Sequence, residues 1–280
     1  MLDSLGYVFV AKWRLSDPSV QNFFDSLGYV LLPKSRLSST HVELFDDSVG
    51  YFLAPKARLW RLPGAIHLKK LFDLLQIDCV LDVGANLGQY RDLLRKDVGF
   101  RGHIVSFEPI PSHVEAMRQR AKVDENWLIQ GFALGASVRE APFNVMKGSE
   151  LSSFLSPDDS VVASSLPGNE VDAQIPVHVK TLDVVFPDIE QRLGCGSVFL
   201  KLDTQGYDLE VLKGALSVLG VVKAVQIEVS VTPIYKGMPH YTTAISTLED
   251  LGFELSGIFP NNSGHFPRLI EFDAVMIRKT

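Results

Sequence analysis

The chain is short of cysteine, of basic runs and of long apolar runs, and each shortage removes a class of function. Only two cysteines occur in 280 residues, Cys79 and Cys195, and neither belongs to a Cys-x-x-Cys or Cys/His spacing. A disulfide framework or zinc module is not expected; two packed thiols in a reducing compartment are. No window holds five or six Lys or Arg in succession, and 27 basic against 33 acidic side chains leave a formal charge of −6. Electrostatic capture of a nucleic acid backbone has no patch to work from. No uncharged apolar stretch approaches the roughly 18 residues of a spanning helix, and Asp3 stands where a signal peptide carries positive charge. A soluble, cytoplasmic protein without a membrane span is expected.

What is present is material for a core: 46% apolar and 21% charged residues are ordinary globular values. The length suits one α/β domain of about 200 to 220 residues plus an appendage. The appendage is visible as a repeat. "DSLGY" at 3–7, "DSLGY" at 25–29 and "DSVGY" at 47–51 recur every 22 residues, each followed by Lys-x-Arg-Leu ending at Leu15, Leu37 and Leu59. Asp17-Pro18 reads as a helix start, and Thr40 with Glu43 has capping-box spacing. Gly28 and Gly50 fit helix stops, and "YVLLP" and "YFLAP" fit short strands. Residues 1–60 are therefore expected to be three αβ repeats that stack on one another or cover a sheet. The rows Lys12, Lys34, Lys56 and Arg14, Arg36, Arg58 make them a candidate platform for a partner or for self-association. "WRLPGA" (60–65) reads as a linker, and 61–280 as the second domain.

From Ala65 onward, strand and helix patterns alternate. Strands are expected at Cys79–Val83, His103–Glu108, Trp127–Gln130, Val177–Lys180, Ser197–Asp203, Val222–Val229, Phe253–Phe259 and Leu269–Ile277. Helices are expected around Leu87–Lys96, Ser112–Lys122, Leu182–Arg192, Tyr207–Leu219 and Thr242–Leu251. Such alternation implies a mostly parallel sheet with helices on both faces. Residues 146–172, rich in Ser, Asp, Pro and Gly, interrupt it as a long loop.

The most specific stretch is "VLDVGANLGQY" (80–90), an apolar strand, a glycine-flanked turn and a helix. Gly84 can take positive φ and let the backbone approach a ligand, and Gly88 lets the helix pack close to the strand. Asn86 stands where a dinucleotide fingerprint would place its central Gly, and Asp82 ends the strand, where a carboxylate is badly placed for phosphate. A ligand with ammonium and sulfonium charge suits Asp82. Glu108 ends the next strand, twenty residues after Gly88, where a carboxylate can accept both hydroxyls of a ribose. S-adenosylmethionine satisfies both demands.

These blocks, with "IVSFEPIPS" (104–112), "FALG" (132–135), "SSF" (152–154), "LKLDTQGYDLEVLKGA" (200–215), "IEVSVTPIY" (227–235) and "DAVMIR" (273–278), resemble the FkbM-type methyltransferases over about residues 65 to 280. The resemblance implies a seven-stranded class I methyltransferase (Rossmann-like) fold and S-adenosylmethionine-dependent transfer of a methyl group. The acceptor in that family is usually a hydroxyl of a polyketide, sugar or other secondary metabolite. It carries over to Lys201, Asp203 and Gly206 as a Lys-x-Asp-x-x-Gly motif; many relatives have Glu where this chain has Gln205. The fold usually houses adenine after its third strand, here at Phe132 and Ala133, for which an apolar core role is the alternative.

Methyl transfer to an alcohol needs alignment, exclusion of water and a group to take the proton. Asp203 and Glu228 end neighbouring strands and are the catalytic candidates. Two such carboxylates could also hold a divalent cation, but no His joins them in ligand spacing and no metal is expected. Ser152, Ser153 and Phe154 are candidates to close over the ligands, and Tyr235 and His240 lie where acceptor contacts are usual. His240 could relay a proton or pack at the surface; His265 reads as a turn residue. Base-methylating enzymes carry an Asp/Asn-Pro-Pro-Tyr/Phe or Pro-Cys motif, and this chain has neither. A nicotinamide oxidoreductase lacks its glycine fingerprint here. The remaining alternative is a binding or scaffold protein in which the repeats do the work beside a degenerate methyltransferase domain.

Overall fold

The computed structural model describes residues 29–33, 51–55, 61–160, 166–261 and 267–279. The chain divides into two compact units, Met1–Ile66 and His67–Thr280. In the first, β1 (Tyr29–Pro33) and β2 (Tyr51–Pro55) are the two strands expected from "YVLLP" and "YFLAP", and they pair antiparallel with Tyr29 opposite Pro55. The expected repeat helices, the Lys and Arg rows and His265 lie outside the described residues.

The segment expected to be a linker is instead the start of a helix, α1 (Leu62–Leu75). Pro63 fits a first turn, where its missing N–H is not needed. Ala65, Leu68, Leu71 and Phe72 recur at helical spacing and are buried. The alternation then runs β3 (Cys79–Val83), α2 (Gln89–Leu93, continued by a π-helical turn over Leu94–Val98), β4 (His103–Phe107), α3 (Pro111–Ala121) and β5 (Trp127–Gln130). Next come β6 (Ala133–Leu134), β7 (Arg139–Met146), β8 (Val171–Lys180), α4 (Leu182–Leu193), β9 (Val198–Leu202) and α5 (Asp208–Lys213). β10 (Val222–Ser230), α6 (Tyr241–Asp250), β11 (Phe253–Pro260) and β12 (Glu271–Arg278) complete it.

Seven strands form one sheet in the order β11-β12-β10-β9-β3-β4-β5, with β12 antiparallel to both neighbours. β6, β8 and β7 form a second, smaller sheet, of which β6 and β7 lie outside the sequence expectation. Pro142 and Pro176 are cross-strand partners in it; proline is tolerated because β7 is an edge and β6 reaches only Val179 and Lys180 on the other side of β8. The loop expected over 146–172 is correspondingly shorter. The helix expected over Tyr207–Leu219 stops at Lys213, since Gly214 gives its carbonyl to the Asp183 N–H (2.9 Å).

Side chains alternate across a strand, and here the two faces of the main sheet differ in kind. Leu81, Val83, Val105, Phe107, Leu200, Leu202, Val225, Ile227, Phe272 and Ala274 join one apolar cluster with Leu182 and Phe186 of α4, Leu212 of α5 and Leu248 of α6. The opposite face begins apolar, with the Phe199 ring 4.8 Å from that of Phe72 on α1. One step further along the strands it becomes polar. Ser106, Asp82, Lys201 and Gln226 are successive register partners across β4, β3, β9 and β10. Cys79 and Cys195 are both buried and free.

Candidate active site

The turn after β3 is built from positive φ angles, at Gly84 (82°), Asn86 (48°) and Gly88 (81°). A Cβ on Gly84 would lie 1.8 Å from the Asp203 carbonyl oxygen, so the turn and the end of β9 touch through bare backbone. A Cβ on Gly88 would lie 2.7 Å from the Trp127 ring, and Gly88, in the left-handed conformation, precedes α2, which begins at Gln89 rather than at Leu87. The turn's amides are used internally. Gly84 and Ala85 donate to Phe107 O (both 3.1 Å), Asn86 to Glu108 Oε2 (2.8 Å), Leu87 to Gln89 Oε1 (3.0 Å) and Gly88 to Ala85 O (2.8 Å). No cradle of free N–H groups is left for a phosphate.

Glu108 is buried at the end of β4, its Oε1 accepting the Ile110 N–H at 2.8 Å while Oε2 holds Asn86. Each carboxylate oxygen keeps one lone pair, enough for two hydroxyls of a ligand. The Asn86 amide meets Ser149 Oγ at 3.3 Å, tying the turn to the segment after β7.

Asp82 is fully buried; its Oδ2 accepts the Ser106 hydroxyl at 3.0 Å, and Trp127 Nε1 donates to the same Ser106 Oγ at 3.0 Å. Its Oδ1 has no hydrogen-bond partner and lies 3.6 Å from Lys201 Nζ. Burial raises its pKa, against the pull of Lys201. Lys201 reaches Asp203 Oδ2 at 2.7 Å and sits 5.0 Å from the centre of the Tyr90 ring. Burial works to lower the Lys201 pKa, but Asp203 and Asp82 outweigh it and the pKa rises. The Tyr90 hydroxyl donates to Gln226 Oε1 at 2.7 Å, so α2 roofs the polar row.

Asp203 and Glu228, on neighbouring strand ends, meet through Gln205, whose Nε2 donates to Asp203 Oδ1 (3.1 Å) and to Glu228 Oε2 (2.7 Å). Asn261 Nδ2 donates to Glu228 Oε1 at 2.7 Å. Burial, then Asp203, Glu271 and Asp273, push the Glu228 pKa well up. Burial and Asp203 likewise push Glu271 up to about 7 and Asp273 up to about 6. The Tyr235 hydroxyl lies 2.6 Å from Leu151 O and 3.0 Å from Gln205 Oε1, and burial raises its pKa as well. Ser153 Oγ donates to Gln205 O at 2.8 Å. Of the "SSF" block, then, Ser153 reaches the Gln205 backbone beside the carboxylates. Phe154 packs between Phe143, which it meets edge-on, and Tyr207, against which its ring is tilted.

Other expected residues lie apart. Ala133 is packed with Ile110, Phe143 and Val179 in the core beside the small sheet. Phe132 has its ring 5.8 Å from that of Phe107 and 4.4 Å from Lys180 Nζ. His240 is exposed, stacks on Tyr241 and caps α6. Sequence reasoning passed over Ser106, Tyr90, Gln226, Asn261, Glu271 and Asp273. For the last two a signal existed: acidic residues two apart in the otherwise apolar "EFDAVMIR" put both on one face of a strand. Among the described residues no three His, Cys, Asp or Glu side chains are arranged to hold a metal ion. No described helix is long and apolar enough to cross a membrane.

An open seven-stranded sheet of this order, with an acidic strand end on each side of its central turn, is the class I S-adenosylmethionine-dependent methyltransferase fold. The methyltransferase FkbM domain matches residues 82–255, and the chain belongs to that family. No curated protein matches it. Among solved structures, an FkbM methyltransferase from Methylobacillus flagellatus aligns at 13% identity over 71% of this chain (TM-score 0.44), and this chain spans 43% of its length. Magnesium protoporphyrin IX methyltransferase from Synechocystis, solved with S-adenosylmethionine bound, aligns at 10% identity over 98% of this chain and 100% of its own (TM-score 0.42). Fibrillarin from Aeropyrum pernix, also with its natively bound S-adenosylmethionine, aligns at 13% identity over 89% and 88% (TM-score 0.42).

Proposed function

We propose that the chain is an S-adenosylmethionine-dependent O-methyltransferase acting on a hydroxyl of a small molecule, sugar or other secondary metabolite. The observation that carries the reading is the junction of a donor turn with two carboxylates: Gly84 abuts the Asp203 backbone, and Gln205 joins Asp203 to Glu228. The donor's fit is supported by the fully buried Asp82 Oδ1, which has no hydrogen-bond partner, and by the spare lone pairs of Glu108. When bound, S-adenosylmethionine supplies an electrophilic methyl group. Glu108 holds the ribose hydroxyls, with Asn86 and Gly88 shaping the turn around them, and Asp82 faces the cationic end. Phe132 offers a ring face for adenine, with Ala133 packed behind it.

The chain's own contribution to transfer is alignment and a proton sink. Asp203 orients the acceptor hydroxyl through a hydrogen bond. Glu228, whose proton affinity is raised by burial and by Asp203, Glu271 and Asp273, takes the proton as the oxygen attacks. Ser153 and Leu151, tied to Gln205 and Tyr235, close the side away from solvent. Residues 1–60 are a module separate from the transferring domain, 61–280. Titration calorimetry with S-adenosylmethionine tests the reading: affinity in the micromolar range and competition by the demethylated product support it, and the absence of both removes it. Transfer of labelled methyl to a panel of hydroxyl acceptors, compared with amine analogues, tests the O-methyl assignment.

A further inference from the structure

The two carboxylates assigned to the acceptor side stand on adjacent strand ends, and like charges so placed repel. What lies between them is one neutral amide. We infer that Gln205 is a positioning residue that fixes the orientation and separation of Asp203 and Glu228 by donating one amide N–H to each. The inference rests on the methyltransferase reading only for its consequence in turnover, not for the geometry.

A primary amide has two N–H donors and one carbonyl, and all three are engaged here. Nε2 donates to Asp203 Oδ1 at 3.1 Å and to Glu228 Oε2 at 2.7 Å, while Oε1 is 3.0 Å from the Tyr235 hydroxyl. The opposite amide orientation would set a carbonyl oxygen against two carboxylates with no proton between them, so the neighbours define the orientation. The backbone is committed to this arrangement as well. Gln205 is buried and holds φ at 53°, a left-handed conformation uncommon for a residue with a side chain, and its carbonyl is fixed by Ser153 Oγ at 2.8 Å. A strained residue in a buried polar network points to a constraint beyond packing.

The groups facing Glu228 come from every element around it. Lys201 and Asp203 belong to β9 and its end, Glu271 and Asp273 to β12, Tyr235 to the segment after β10, and Asn261 to the end of β11. Lys201 is the one cation among these residues, and it is spent on Asp203 and Asp82. Gln205 and Asn261 are then the donors that hold the two oxygens of Glu228. Replacing the Gln205 amide by a carboxylate puts a third negative group in contact with both partners.

The test is carried out on the full chain with ¹³C-labelled glutamate side chains, the Glu228 carboxyl resonance being assigned by its loss in Glu228→Gln. In Gln205→Glu, the Glu228 midpoint should move up by about one pH unit or more, the expected effect of an added like charge. Gln205→Met removes both donors without adding charge, and its midpoint should also rise, since hydrogen bonds to the charged form are lost. S-adenosylmethionine affinity should stay within about twofold in both, because the donor turn is not altered. With a methyl acceptor in hand, kcat at neutral pH should fall roughly tenfold or more, with the rising limb of the pH profile displaced upward in step. An unmoved midpoint in Gln205→Met overturns the inference, whether or not Gln205→Glu folds. So does a loss of donor affinity equal to the loss in kcat, which is the mark of a general structural role. Midpoints that move while neither wild type nor variants bind S-adenosylmethionine would uphold the positioning role and remove the methyl-donor reading instead.

Discussion

The Asn86 backbone N–H donates to Glu108 Oε2 at 2.8 Å, and through this bond the turn after β3 is closed onto the end of β4. One carboxylate therefore shapes the turn and remains able to bind a ligand. Glu108→Ala should weaken S-adenosylmethionine binding by about 1.5 to 3 kcal/mol, the magnitude of a lost charged hydrogen bond. Glu108→Gln keeps one acceptor for Asn86 or Ile110 and should retain more of the fold than of the affinity. Calorimetry of binding beside urea denaturation separates the two losses; equal affinity in Glu108→Ala and wild type would remove the ribose assignment.

Lys201 stands between two acids in a buried row, and its removal leaves them without a counter-charge. Lys201→Met should destabilise the chain by about 3 to 5 kcal/mol at neutral pH, as expected when one partner of a buried ion pair is deleted. Asp82, whose pKa burial already raises, would rise further in the variant. A folded-state carboxyl pKa above its unfolded value makes stability fall as pH rises. The variant's deficit should therefore shrink when denaturation is repeated at pH 5, and a deficit independent of pH would count against the ion-pair account.

Gly84 combines a φ of 82° with an approach that leaves no room for a side chain. Gly84→Ala should cost at least about 1 to 3 kcal/mol from backbone strain alone, and displacement of the Asp203 carbonyl should lower donor affinity as well. A folded variant with wild-type affinity would show that the contact between turn and β9 is dispensable.

Asp273 is the cross-strand partner of Glu228, and burial with Asp203 pushes it up to about 6. Because the folded pKa exceeds the ordinary value, its contribution is full at acid pH and is lost as pH rises through about 6. Asp273→Asn removes that penalty and can keep the bonds to Asn261 and Gln226. The stability difference between variant and wild type should move in the variant's favour from pH 5 to pH 8, read by chemical denaturation at each pH.

Much of this architecture is legible in the sequence because it rests on local signals. Strands β3, β4, β5 and β9 are apolar runs with Gly or Asp at one or both ends, and the turn from Asp82 to Gly88 announces itself by its glycines. What escaped is of two kinds. β7 carries Pro142 and exposed polar residues, and only its position as an edge makes a strand of it. The start of α1 looks like a linker because Pro63 and Gly64 are read as breakers until their place in the first turn is known. The other kind is a matter of register. Ser106, Asp82, Lys201 and Gln226 are scattered between positions 82 and 226, and no local pattern says that they meet side by side. Asp203, Glu228 and Gln205 could be singled out as strand ends and motif positions, but the amide bridge between them is a property of the folded backbone.

The unlike faces of the main sheet have a consequence for how this protein can change. Cohesion resides on the side of Leu200 and Phe107, where every substitution must respect volume. On the other face, near the carboxyl termini of the strands, apolar side chains give way to the polar row of Ser106, Asp82, Lys201 and Gln226, beside which the proposed acceptor side lies. Diversification of the acceptor, in nature or in the laboratory, can thus proceed on one surface of the sheet while the reverse surface is left untouched.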